Sequence, residues 1–353
     1  MGVVKTIKAF VKHLIAARIY RIRGEQLISQ RRGIAILMYH EIAPRHTQVF
    51  RQFPVLCTAP DTFEAQVTWL SQHFEIISMD EALRRLHAGI ADDSRAVVIT
   101  SDDGWRGFYQ QAMSTLQGHG ATIYVTTGVL QGEVPWYVRW RLLLEHYPHL
   151  LRVLAHDLGR LEAFRDADSA IAALKQLDYA RIRSLWHQAI KDVPFDEASL
   201  PKDWFMRQEE LPTAVQTGFT IGAHTVNHPI LTHEFDEVVR REISESKQVL
   251  ETLTGMPVRH FAYPNGDHNE QVVRWVAEAG YATAVTTQAG WNRSGSDVYR
   301  LRRFDVHETM CTDHWGRFSE AIFALYLAGA FGNLAPTNRI CAKIAGGGMQ
   351  CDR

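Results

Sequence analysis

Cysteine is scarce in this chain: four in 353 residues, with no Cys-x-x-Cys pair. Cys57, Cys311, Cys341 and Cys351 are too scattered for a zinc knuckle or a disulfide framework, and free thiols in a reducing compartment are the simplest account. Net charge is nearly absent as well, at −1, which removes the basic field that draws proteins onto nucleic acid. Long apolar runs are missing: no stretch reaches the roughly 20 residues needed to span a bilayer, and no apolar leader with a small-residue cleavage site opens the chain. Internal repeats and low-complexity segments are also lacking.

What is present is ordinary globular material, 46% hydrophobic and 22% charged, with nine Trp. The first 32 residues stand apart. They carry Lys5, Lys8, Lys12, Arg18, Arg21, Arg23, Arg31 and Arg32 against Glu25 alone, while Ile7, Phe10, Val11, Leu14, Ile15 and Ile19 recur at helical spacing. A basic amphipathic helix over 1–32 either lies on an anionic membrane surface or packs across the barrel or against a partner subunit, since these leave the same pattern. The absence of an export signal favours the cytoplasm, with peripheral attachment to the inner membrane as the membrane-bound version.

Short apolar runs alternate with helical patterns. Ile34–His40, Glu75–Ser78, Ala96–Thr100, Thr122–Thr126, Phe219–Ala223, His260–Tyr263, Thr283–Thr287 and Arg300–Val306 read as strands, mostly of the kind buried on both faces in parallel sheets. Asp61 to Glu64 reads as a capping box, Asp80 as a second helix cap, and Phe235–Leu253 as the longest helix, stopped at Gly255. Seven or eight strand–helix units predict an α/β barrel of the TIM-like type over residues 33–310. A strandless stretch at about 132–212, rich in Trp, Arg and Leu, predicts a helical insertion. Residues 311–353 predict a packing helix, Ala321–Phe331, and a disordered tail from Gly346.

Two strand ends carry chemistry. Asp102 and Asp103 follow Ala96–Thr100 and precede Gly104; His224 and His228 follow Phe219–Ala223 and precede Pro229. At the carboxyl mouth of a barrel, two imidazoles and one carboxylate can hold a divalent ion with a position left open, and the remaining carboxylate can activate water. Each piece alone has a plainer reading, an aspartate helix cap or a chance His-x-x-x-His pair. Trp105, Trp136, Tyr137, Trp140 and Trp291 offer aromatic faces for sugar stacking or simply core packing. Arg139 and Arg141 offer contacts to an anionic group or a solvated helix face.

Ser101-Asp102-Asp103-Gly104, His224-Thr225-Val226-Asn227-His228-Pro229 and Tyr263-Pro264-Asn265-Gly266, with Leu37-Met38-Tyr39-His40 and Arg300-Leu301-Arg302-Arg303-Phe304, resemble the polysaccharide deacetylase family, carbohydrate esterase family four. The resemblance covers roughly 33–306. It implies a distorted (β/α)7 barrel that removes N-acetyl groups from amino sugars of a glycan or lipid-linked precursor, in cell-surface polysaccharide synthesis. It implies Asp102 as general base, and Asp103, His224 and His228 as ligands of a divalent metal, usually Zn2+. It also implies a groove wall at Tyr263 and Pro264, with the backbone N–H of Asn265 as oxyanion donor. O-acetyl or N-formyl groups are alternative targets, and a catalytically inactive glycan-binding barrel is the other class. The sequence departs from the family where Ala262 replaces an arginine that orients the base, for which Arg259 or Arg302 can substitute. No Leu-His-Asp-like segment supplies the general acid, so His307, or else His40, is assigned that role. Trp105 and Trp291 complete the expected substrate contacts.

Overall fold

The computed structural model describes residues 2–116 and 119–329. Cys341, Cys351, the expected tail and the end of the expected C-terminal helix lie outside the described residues. Strands, in chain order, are β1 Gly33–Tyr39, β2 Glu41–Ile42, β3 Cys57–Thr58, β4 Glu75–Ile76, β5 Arg95–Ser101, β6 Thr122–Val125, β7 Thr220–Ala223, β8 His260–Ala262, β9 Thr283–Val285, β10 Trp291–Asn292 and β11 Arg303–Asp305. Helices are α1 Gly2–Ser29, α2 Gln48–Gln52, α3 Pro60–His73, α4 Met79–His87, α5 Arg106–Thr115, α6 Trp136–His146, α7 Leu150–Asp157, α8 Ala167–Leu174, α9 Tyr179–Ala189, α10 Glu210–Gln216, α11 Asp236–Thr254, α12 Glu270–Glu278, α13 Glu308–Cys311 and α14 Glu320–Leu327.

The chain forms two compact units, one of residues 1–135 and 201–330, the other containing 136–200. In the first, β11, β1, β5, β6, β7, β8 and β9 pair side by side, all parallel. The row curls back on itself: Val285 at the end of β9 bridges Leu301, which leads into β11. A curled, mainly parallel sheet flanked by helices is the (β/α)7 type of barrel. β4 adds to β5, and β10 adds antiparallel to β1.

Alternation along these strands decides what faces inward. Ile34 and Ile36 of β1 sit opposite Ala96 and Val98 of β5. All four belong to one buried cluster with Tyr124, Ala262, Val285 and Leu301, floored by Met79, Ala82 and Leu86 of α4. Successive side chains on a strand alternate faces, so the inward set of β5 continues from 96 and 98 through Thr100 to Asp102. The same period carries the inward face from Leu301 to Arg303, which sits opposite Ile36.

Helix entrances differ in detail from the capping patterns. α3 opens at Pro60 behind Ala59, not at Asp61, and the buried N–H of Ala59 is taken by the Glu308 carboxylate at 3.0 Å. α4 is capped by Ser78, whose hydroxyl accepts from the Glu81 N–H; Asp80 lies inside the first turn and pairs with Arg259. The longest connecting helix, α11, ends at Gly255, whose left-handed φ of 66° suits a residue without Cβ. α1 packs along α14, and Arg31 donates to the carbonyl of Ala328. No helix of the described residues is long and apolar enough to cross a membrane.

The second unit is helical, α6 to α9, around its own core of Trp136, Trp140, Leu143, Leu154, Leu185 and Trp186. Trp136 and Trp140 are 3% and 1% exposed, so they are packing residues and not a sugar platform. Arg141 is spent on Glu145 and Asp168, and Arg139 lies over the Trp186 ring.

Candidate active site

Four residues named by sequence meet at the carboxyl rim of the sheet. Asp102 ends the inward face of β5 and is 3% exposed. Its two oxygens accept hydrogen bonds from Arg303 Nη1 and Nη2, each 2.6 Å. Arg303 is wholly buried; its Nε donates to the Thr286 carbonyl at 2.8 Å, and its guanidinium lies 5.6 Å from the Tyr124 ring centre. A planar fork on a carboxylate fixes orientation as well as charge. Burial alone would raise Asp102; the Arg303 charge, then His224, outweigh it and hold the carboxyl below its ordinary range.

Asp103 turns the other way. Its φ is +69°, and Gly104 follows at +78°. Two consecutive left-handed residues swing the chain off the strand, so the second carboxylate faces β7. Asp103 Oδ1 lies 3.3 Å from His224 Nε2 and 3.3 Å from His228 Nε2. Its Oδ2 accepts from the Trp105 indole N–H at 3.1 Å. Burial opposes ionisation, but the hydrogen bond from His224 and the charges of His228 and His40 hold Asp103 well below the usual carboxylate range.

His224 Nδ1 lies 2.8 Å from the Ala262 carbonyl. A carbonyl only accepts, so Nδ1 carries a proton; Nε2 donates to Asp103 in the ion-free site and would turn its lone pair to a cation held there. Thr225 and His228 both have left-handed φ, 65° and 56°. Thr225 Oγ1 accepts the His228 N–H at 3.0 Å and donates to the His224 carbonyl at 2.5 Å. Of the non-glycine residues with positive φ, Asp103, Thr225 and His228 all belong to this cluster. Each costs about 1–2 kcal/mol, and such strain concentrates where geometry matters more than stability.

The donor set fits a divalent ion. One carboxylate oxygen and two imidazole nitrogens, all buried, have ligand atoms within 4.8 Å of one another. Donors about 2.1 Å from a shared ion at tetrahedral angles lie roughly 3.4 Å apart, close to the 3.3 Å separations from Asp103 to each imidazole.

The remaining expected residues are distributed more widely. The turn Pro264–Gly266 starts beside His224, after the carbonyl of Ala262, and Asn265 at φ 58° binds Asp267 through its side chain at 2.6 Å. The Tyr263 ring is buried and its hydroxyl donates to the Tyr299 carbonyl at 3.0 Å, so its role there is structural. Trp105 is buried too, packed on Phe205, and reaches the site by holding Asp103 rather than by an exposed face. Trp291 is not brought to the site. It sits opposite Ala35 near the start of β1, the far end from Asp102, with its indole N–H on the Leu327 carbonyl at 2.9 Å.

His40 and His307 lie along the rim on the β1 side of Asp102. Tyr39 pairs with Ser101, and the N–H of Asp102 binds the Tyr39 carbonyl, so His40 stands beside Asp102 at the next strand end. Ser101 Oγ pins the His40 carbonyl at 2.9 Å, and the charge of His40 bears on both aspartates. His307 follows β11, on the opposite side of β1 from β5, and its Nδ1 lies 3.1 Å from Thr309 Oγ1.

Neither Arg259 nor Arg302 replaces the missing arginine: Arg259 is tied to Asp80, and Arg302 is exposed. Arg303 does so. Strand alternation was the signal available in the sequence, since Leu301 and Arg303 share the face that Arg302 does not.

A curled parallel sheet with acids and imidazoles gathered at its carboxyl rim defines the class, a barrel hydrolase. The model of the family described as polysaccharide deacetylase matches residues 89–284, and the chain belongs to that family. It is 21% identical over 292 residues to the Bacillus subtilis protein YxkH, whose curated description assigns it provisionally to the polysaccharide deacetylases, covering 82% of this chain and 77% of that one. Its fold matches the Streptococcus pyogenes deacetylase PplD, solved in complex with acetate, with TM-score 0.55 and 20% identity over 79% of this chain and 94% of that chain. It also matches a de-N-acetylase from Aggregatibacter actinomycetemcomitans with TM-score 0.54 and 14% identity over 83% and 99% of the two chains. The chain is a deacetylase of the hydrolase class.

Proposed function

We propose that this protein removes N-acetyl groups from amino sugars of a glycan or lipid-linked glycan precursor, using a divalent ion, Zn2+ by its donor set, held by Asp103, His224 and His228. The observation that carries the reading is the division of labour between adjacent aspartates. Asp102 is committed to Arg303 and Asp103 to two imidazoles. When bound, the ion supplies Lewis acidity and lowers the pKa of water. Asp102 takes the proton from the attacking water, its carboxylate kept ionised and aimed by Arg303. The backbone N–H of Asn265 is assigned to the developing oxyanion. His40 gives the departing amine its proton; it is half-buried and adjoins Asp102, whereas His307 is one strand further off.

The test is acyl release from N-acetylated glycans and lipid-linked amino sugars, with O-acetyl and N-formyl substrates in parallel. Acetate from the amide substrates, lost with chelator and in Asp102→Asn, supports the reading. Release only from esters or only as formate redirects it to those bonds. Glycan binding without turnover would establish the inactive-barrel alternative. His40→Gln and His307→Gln separate the two candidate acids.

Residues Leu14, Ile15, Ile19 and Ile22 of α1 are 51%, 52%, 37% and 68% exposed, beside the exposed Arg18, Arg21 and Arg23. This face matches an anionic bilayer surface in both apolar area and charge. Sedimentation with anionic vesicles, abolished by Arg18→Glu with Arg21→Glu, tests that placement; sedimentation unaffected by these changes rejects it.

A further inference from the structure

We propose that Glu242 is a positioning residue for the metal site: one buried carboxylate on α11 holds the His224–His228 turn in the shape that aims both imidazoles at Asp103. The inference rests on the metal reading above and adds a residue to it.

The backbone groups of this turn can be followed one by one. The His224 N–H goes to the Val125 carbonyl at 3.0 Å, and the Thr225 and Val226 carbonyls accept from the N–H groups of Thr127 and Gly128 at 3.0 and 2.8 Å. The His228 N–H goes to Thr225 Oγ1. Two consecutive donors, the N–H groups of Val226 and Asn227, are both taken by Glu242 Oε2 at 2.8 and 2.9 Å. Glu242 Oε1 accepts from Asn227 Nδ2 at 2.7 Å. The carboxylate is 1% exposed.

The turn is therefore gripped from two sides, by the segment after β6 and by α11. It contains two residues in left-handed backbone, one of them β-branched, so it needs outside restraint to keep its shape. Removing the acceptor leaves two adjacent part-buried N–H groups without their partner. The turn then relaxes, and the His228 ring, at its far end, loses its aim. Outer partners that orient metal ligands affect affinity by about 10–100-fold when replaced.

The experiment is Zn2+ affinity of the full chain by competition with a chromogenic chelator, read together with the thermal melt of the metal-free protein. Glu242→Gln keeps size but offers one acceptor oxygen where two are used; its affinity is expected to fall about 10–100-fold. Asn227→Ala removes one of the three bonds and is expected to fall by less. Ser246→Ala, one turn further along the same helix, is expected to change the melt without changing affinity. Wild-type affinity in both Glu242→Gln and Asn227→Ala overturns the inference. If Glu242→Gln does not fold, Asn227→Ala decides alone, a drop supporting the inference and wild-type affinity overturning it. No Zn2+ binding by the wild type would overturn the metal reading itself, and this inference with it.

Discussion

Inside the barrel, Arg303 donates two hydrogen bonds of 2.6 Å to Asp102 with almost no access to water. Removing one member of such a pair leaves a buried charge uncompensated, at a cost of about 3–5 kcal/mol. Arg303→Met should lose stability of that order in urea melts and lose most acetate release; a variant as stable and active as wild type would deny the pair its role. Glu41 offers a pH test at a carboxylate outside the Asp103, His224 and His228 cluster. Burial raises its pKa well above the ordinary carboxylate range, despite the Gly107 N–H it accepts. Below about pH 4.3 both folded and unfolded chains keep this proton; above it only the unfolded chain gives it up, so folding weakens by about 1.4 kcal/mol per pH unit until the raised value is reached. Glu41→Gln has no proton to lose and should gain on wild type as pH rises from about 4 to about 7; a gap constant with pH would contradict this. At this scale the sequence was legible where function is contiguous. Asp102–Asp103 and His224–His228 stand out as short patterns at strand ends, whereas Arg303 lies about two hundred positions from its partner and needed strand register to be singled out from Arg302.

Among elements, the longer strands were readable because they are apolar runs buried from both sides, as in β1 and β5. Helix entrances were less so. Ala59 has no capping side chain, and its N–H is satisfied by Glu308, a partner no local pattern can reveal. Trp291 was misplaced for a related reason: β10 runs antiparallel on β1, so a residue near the chain's last strands lies at the opposite end of the sheet from the acids. The segment following β6 makes a close approach that can be tested. A Cβ on Gly128 would stand 2.8 Å from the Val226 carbonyl oxygen. Gly128→Ala should push the His224–His228 turn outward, at a cost of about 1–3 kcal/mol. Denaturant melts check the stability change, and an unaltered midpoint would mean the two segments are not in register as described.

For the molecule as a whole, the barrel spends backbone strain and buried charge on one small region of its rim, and an ion bound there should return stability. Free Zn2+ at a hundredfold over its dissociation constant should add about 2.7 kcal/mol to unfolding, and the gain should vanish in Asp103→Ala. Among the described residues, Asp103, His224 and His228 are the group whose ligand atoms come close enough to hold a metal. Their convergence could be expected from sequence only by assuming a barrel that brings two distant strand ends together. The direct measurement is Zn2+ stoichiometry by equilibrium dialysis on wild type and on Asp103→Ala, His224→Ala and His228→Ala. The account predicts about one ion per wild-type chain and loss of binding in each variant; full binding in any of the three would contradict it.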